Sequence, residues 1–233
     1  MDVYGKALLA YFEGDKKAKI RVDSDIAETE YWPMSEFFHT WDTMSEIERT
    51  ALKLCKGHTL DVGAGSGSHV LWLQENSVKA DAIDISEGAI AVMQKRGIKC
   101  ATQCDFFTLD GRQYDTLLML MNGAGIVGTI DRLPKFFMQV KKLLALGGQL
   151  LMDSSDIMYL FTDDDGSVMI NLNDSYYGEI EYTMSYKREK GLPFKWLFVD
   201  FDTLQAVASD CGMRCEKIIE DEHYQYLARI TSD

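Results

Sequence analysis

Asp61 is followed at two-residue intervals by Gly63, Gly65 and Gly67, within a run that reads T-L-D-V-G-A-G-S-G-S-H from position 59 to 69. Residues 59–62 suit a short buried strand and residues 69–75 a helix. Strand, glycine turn and helix together bring backbone amides and a helix N-terminus up to a ligand. The glycines leave room for the backbone to approach and permit positive φ where the turn needs it. Ser66 or Ser68 is placed to cap the helix. Asp84 follows Asp61 by 23 residues, at the end of a second apolar stretch. A strand-end carboxylate there accepts two hydrogen bonds from the vicinal hydroxyls of a ribose, which suits an adenosine or a nicotinamide cofactor alike.

The glycine spacing separates those two. A dinucleotide fingerprint is G-x-G-x-x-G, and the position it reserves for its third glycine is occupied here by Ser68. The pattern D-x-G-x-G-x-G at Asp61–Gly67 instead resembles the first motif of the class I S-adenosylmethionine-dependent methyltransferases. That resemblance implies a turn of Gly63, Ala64, Gly65 and Gly67 holding the methionine end of the cofactor. Asp61 then faces its ammonium, and Asp84, with Ile85 beside it, faces the ribose. It implies further that Asp105 bonds the adenine amine and that Phe106 packs on the ring. Asn122, at the end of a continuous apolar run (residues 114–121), falls where open α/β sheets bind ligands and is a candidate contact. The chain lacks the N-P-P-Y pattern of methyltransferases acting on nucleobases or glutamine.

Those residues need elements to hold them. Helix-forming stretches are expected at 4–12, at 45–55 behind the cap Ser45, at 86–96 behind Ser86, at 130–146, and at 204–211 behind Asp202-Thr203. Strands are expected at 80–85, 99–102, 114–121, 149–153, 179–188 and 197–200, with a closing antiparallel hairpin of 213–219 and 224–230. Residues 15–30 look too polar to bury much. Five aromatics follow within eleven residues, and a helix from Ser35 would align Phe37, Phe38 and Trp41 as core or as a lid. The acidic turn at 163–166 lacks the alternating ligands of a calcium loop. The sum is an α/β, Rossmann-like three-layer sandwich. Its seven-stranded, mostly parallel sheet has an antiparallel last strand and lies under an N-terminal helical cover. Residues 1–56 are the helices or lid, and 57–233 form one S-adenosylmethionine-binding methyltransferase domain.

Composition sets the limits on partners. The chain has 233 residues, 46% hydrophobic, and a net charge of −13, with no long basic block. Phosphate backbones need a basic stripe, so nucleic acid is not the expected partner and a small-molecule acceptor is. The five cysteines read as reduced thiols rather than zinc ligands, because no histidine completes either C-x-x-x-C pair. No metal is expected. With no apolar leader or membrane span, the cytoplasm is the expected location. The expected reaction is in-line methyl transfer to an unidentified acceptor, much of the acceleration coming from alignment. His39, His69, Asp156 and Tyr159 are the available bases, and no motif singles one out. The alternatives are an NAD(P)-dependent oxidoreductase and a non-catalytic S-adenosylmethionine-binding protein.

Overall fold

The computed structural model describes residues 1–163, 165, 167 and 175–232; Asp164 and Gly166 of the acidic turn lie outside them. The chain opens with α1 (Val3–Phe12), β1 (Lys19–Ser24), β2 (Glu30–Pro33) and α2 (Glu46–Leu54). It continues through β3 (His58–Val62), α3 (Ser68–Glu75), β4 (Lys79–Asp84), α4 (Glu87–Lys95), β5 (Ala101–Gln103), β6 (Tyr114–Met119), α5 (Leu133–Leu143) and β7 (Leu144–Ser155). After β8 (Glu179–Tyr186), β9 (Glu189–Lys190) and β10 (Phe194–Leu197) it ends with α6 (Phe201–Asp210), β11 (Met213–Glu220) and β12 (Gln225–Ser232).

The large sheet has seven strands in the order β11-β12-β7-β6-β3-β4-β5. β3 to β7 are parallel, and β12 runs antiparallel to both β7 and β11. This is the expected Rossmann-like α/β sheet with an antiparallel last strand. The apolar run of β6 is explained by its place: Leu117, Leu118 and Met119 are fully buried between two layers of helices. From β3 the chain builds outward to β4 and β5, then crosses back to β6 and β7 on the other side. The carboxyl ends of β3 and β6 therefore flank the switch point, where such sheets leave a crevice.

The smaller sheet departs from expectation. β1, read from its charge as unable to bury much, alternates instead, with Ile20 and Val22 buried. It pairs antiparallel with β2 and with β8, and β8 in turn pairs with β10 and β9. The small sheet is thus built from two distant stretches, residues 19–33 and 179–197. Its apolar side packs with Val3, Ala7 and Leu8 of α1 against Ala89 and Val92 of α4.

The helix expected from Ser35 does not form. Beyond Pro33 there is only a single 3-10 turn, Met34–Phe37. Ring contacts hold this segment instead of helical periodicity: Phe37 meets Tyr4, Phe38 meets Tyr11 and Phe12, and Trp41 stacks on Trp72 at 4.8 Å. Other boundaries move modestly. α5 stops at Leu143 because Leu144 already pairs with Tyr114, so the Gly147-Gly148 pair lies inside β7. Asp200, not Asp202, caps α6, accepting from the Thr203 amide at 2.9 Å.

Candidate active site

The glycine turn joins β3 to α3 with Gly63, Gly65 and Gly67 at φ of 72°, 54° and 80°. At Gly65 two constraints coincide. Its φ is left-handed, and an added Cβ would stand 2.9 Å from the Tyr4 hydroxyl oxygen. Ser66 and Ser68 do not cap α3; Gly67 holds the N-cap position without a side-chain bond. Ser66 Oγ instead donates to the Phe37 carbonyl and accepts from Arg96 Nη1, pinning the aromatic segment to the turn.

Asp61 ends up almost wholly enclosed, at 1% exposure. Its Oδ2 has no hydrogen-bond partner among the described residues. Burial first, and then the charge of Asp84, push its carboxyl up to about 6, against the opposing pull of His69. A buried carboxylate oxygen without a donor is costly. A ligand with an ammonium group supplies what is missing. Asp84, at the end of β4, is also buried, and its two oxygens accept from the backbone amides of Gly65 and Ser86, each at 2.8 Å. One carboxylate therefore fixes the glycine turn against the start of α4. Ile85, beside it, stands 73% exposed and offers an apolar surface next to Asp84. Ala64 is buried within the turn.

Helix α1 closes over this region. Asp2 Oδ1 caps it through the Gly5 amide (2.8 Å), and Oδ2 accepts from Ser86 Oγ (2.8 Å) and the Gly88 amide (2.9 Å). Tyr4 lies close enough to Asp84 and Asp2 that their charges add to burial in raising its pKa. Asp2→Ala should lower stability by about 2 kcal/mol, the sum of a lost cap and two lost inter-helix bonds. A urea midpoint unchanged from wild type would show that α1 docks without it.

Other expected contacts are placed differently. Phe106 is 2% exposed and belongs to the core, against the rings of Phe107 and Phe136, so in this structure it presents no open face to a base. Asp105 is exposed, with Oδ1 already accepting from the Phe107 amide at 2.8 Å. Asn122 donates from Nδ2 to the Leu197 carbonyl (3.2 Å) and accepts at Oδ1 from Ser154 (3.0 Å). It braces β6 against β7 and β10. Both Met121 and Asn122 have positive φ, 63° and 57°. Consecutive non-glycine residues in this region are strained, as happens where structure is held for a function.

Sequence inspection missed Glu48 and Asp153. Glu48 stands in the capping box of α2, yet its Oε1 also accepts from His39 Nδ1 (2.6 Å) and His69 Nε2 (2.9 Å). These bonds hold its carboxyl well below the usual range despite burial. The S-x-x-E signature of a cap was legible, but its second use depends on contacts distant in sequence. Asp153, fully buried at the β7 end, accepts from the amides of Asn122 (3.0 Å) and Gly123 (2.8 Å) and from Gln225 Nε2 (2.8 Å). Burial pushes it up to about 6. His39, Ser45, Glu48, Met121, Asp153 and Gln225 line a cleft of about 210 Å³. Of the four available bases, the structure brings together His39 and His69. Asp156 is held by Tyr177 and the Met158 amide, and Tyr159 stacks on Tyr224. A separate open depression of about 420 Å³ on the small sheet gathers Lys19, Arg21, Lys187, Arg188 and Lys190. None of the strand-end residues reaches it.

A family model described as a methyltransferase domain matches residues 59–148. Among solved structures, an S-adenosylmethionine-dependent methyltransferase from Bacteroides fragilis, crystallised with S-adenosyl-L-homocysteine, is 45% identical. It covers 99% of this chain and 94% of its own, with a TM-score of 0.93. The CcbJ methyltransferase from Streptomyces caelestis is 14% identical, over 84% of this chain and 97% of its own, with a TM-score of 0.60. The aminopentose methyltransferase CalS10 from Micromonospora echinaspora is 15% identical, over 89% and 100%, with a TM-score of 0.56. The last two establish shared fold only. No curated protein sequence matches.

Proposed function

The chain belongs to the S-adenosylmethionine-dependent methyltransferases, and from that premise we propose that it methylates a small-molecule acceptor held in the cleft between His39 and Gln225. S-adenosylmethionine supplies a sulfonium methyl group that a nucleophile takes by in-line displacement. The residues on this chain have the chemistry to hold it. Asp61 would receive the ammonium, the backbone of Gly63, Ala64, Gly65 and Gly67 would line the methionine end, and Asp84 would accept from the ribose. Ile85 would flank the adenine. Asp105, Phe106 and Asn122 stay in the proposal as outer contacts that need a side-chain or loop shift to reach the ligand.

The observation that carries this reading is the unpartnered, enclosed Oδ2 of Asp61 beside the glycine turn. Alignment of acceptor and methyl donor then accounts for much of the rate. The cleft is of small-molecule size and its walls include Glu48 and Asp153, which supports a small, neutral or cationic acceptor. We also propose that residues 1–56 cover the methyltransferase domain together with β8–β10, supported by the shared small sheet. Cytoplasmic residence is supported by five free thiols. No helix among the described residues is long and apolar enough to cross a membrane.

A thermal-shift comparison tests the cofactor site. S-adenosylhomocysteine should raise the melting temperature, by roughly 2.7 kcal/mol of stabilisation at a hundred times its dissociation constant. NAD and NADP should leave it unchanged. A shift with the nicotinamides alone would overturn the reading.

A further inference from the structure

We propose that His39 is the base that deprotonates the acceptor, with Glu48 as its positioning residue. This rests on the reading of the His39–Gln225 cleft as the acceptor site.

The geometry begins with Glu48. Its position is fixed twice by α2: Ser45 Oγ accepts from the Glu48 amide (3.1 Å), and Glu48 Oε2 accepts from the Ser45 amide (2.7 Å). The other oxygen, Oε1, faces two imidazoles at once. The same oxygen therefore orients both rings.

The two rings differ in their surroundings: burial opposes the charged form of His69, but its bond to Glu48 and the charges of Asp61, Glu48 and Asp153 outweigh that and raise its pKa. The acidic groups acting on His69 come from three elements: Glu48 from α2, Asp61 at the end of β3 and Asp153 at the end of β7. His39 sits at the cleft wall with its side chain 19% exposed, against 8% for His69. With Nδ1 bonded to Glu48, His39 keeps Nε2 free of any bond from a described residue. A carboxylate that locks the tautomer of an imidazole and leaves the far nitrogen free is the arrangement a general base needs.

The step balances without further reagents. The acceptor, an amine or hydroxyl X–H, gives its proton to His39 Nε2. Its electron pair forms the X–CH₃ bond as the C–S bond of the donor breaks, with that pair staying on sulfur. His69 sits two positions after Gly67, so the same Glu48 links the acceptor cleft to the cofactor turn.

Long-range ¹H–¹⁵N correlation spectra of imidazole-labelled protein, saturated with S-adenosylhomocysteine at pH 7, test the assignment. His39 should appear as the Nδ1–H tautomer. Glu48→Gln should abolish that tautomer preference at His39 in a protein that still binds S-adenosylhomocysteine. In methyl transfer to a panel of primary amines and alcohols, His39→Gln should lower kcat at least about a hundredfold, with KM for S-adenosylmethionine unchanged and the acidic limb of the pH profile lost. A doubly protonated His39 at pH 7, an Nε2–H tautomer, or full turnover by His39→Gln overturns the proposal. Failure of S-adenosylhomocysteine to bind overturns the cofactor site instead, so the two readings fail separately.

Discussion

Asp61→Asn is expected to make the protein more stable on its own and far weaker for its cofactor. The folded carboxyl is pushed up to about 6, chiefly by burial, from an ordinary aspartate value of about 3.9. The folded state then holds a proton that the unfolded state releases. Stability from this group is full below pH 4, falls as pH rises through 4 to 6, and above 6 the whole cost of burying the charge remains. Two pKa units correspond to roughly 3 kcal/mol. Asparagine never ionises, so the variant should gain up to that amount at pH 7 and nothing near pH 4. By the proposed reading the same change removes the charge that would meet the ammonium, so S-adenosylhomocysteine should bind at least about tenfold more weakly, or about 1.4 kcal/mol. Urea unfolding at the two pH values, with calorimetry, measures both. A variant destabilised at pH 7 would mean that Asp61 is paired in solution.

Asp84→Ala is the second large effect, because one side chain serves two purposes. It ties Gly65 to Ser86 through two backbone amides, and by the proposed reading it also accepts from the ribose. Removing it leaves both amides without their acceptor, at a cost of roughly 1–3 kcal/mol in stability. S-adenosylhomocysteine affinity should fall at least about tenfold. Asp84→Asn should be intermediate in binding, since one oxygen survives while an N–H now faces a backbone N–H. Asp81→Ala is the control: that carboxylate bonds Arg112 at 2.7 Å and Tyr114 at 3.2 Å, three residues back along β4. It should cost stability and leave affinity alone. Equal losses of affinity at both positions would place the ribose elsewhere.

What the sequence disclosed, and what it hid, follow from the range over which each feature is encoded. The central sheet was legible because its signals are local. An uninterrupted apolar run marks β6, glycines mark the turn after β3, and Ser86 marks the start of α4. The small sheet was not, because β1 alternates charged with apolar residues and its partner β8 lies far along the chain. The aromatic segment misled for a related reason: Phe38 and Trp41 answer to rings on α1 and α3, and no helix is needed to explain them. At the proposed site, Asp61 and Asp84 stood out by spacing, and the fold brings both to the glycine turn. Glu48 did not, since a glutamate three residues after a serine already has a sufficient local explanation. Phe106 shows the converse, a position matching a motif whose ring the core has claimed.

The small sheet also sets an order of events on the ribosome. Its two halves meet through contacts such as the Glu181 amide with Asp25, 156 residues apart. At roughly 5–20 residues per second, β1 waits on the order of 10–30 s for β8 to be made. By the end of that interval the nascent chain carries β3 to β7 of the large sheet while the small sheet is still unfinished. Its exposed β1 edge and the apolar side chains of Ile20 and Val22 stay open to chaperones or to misassembly with a neighbouring chain.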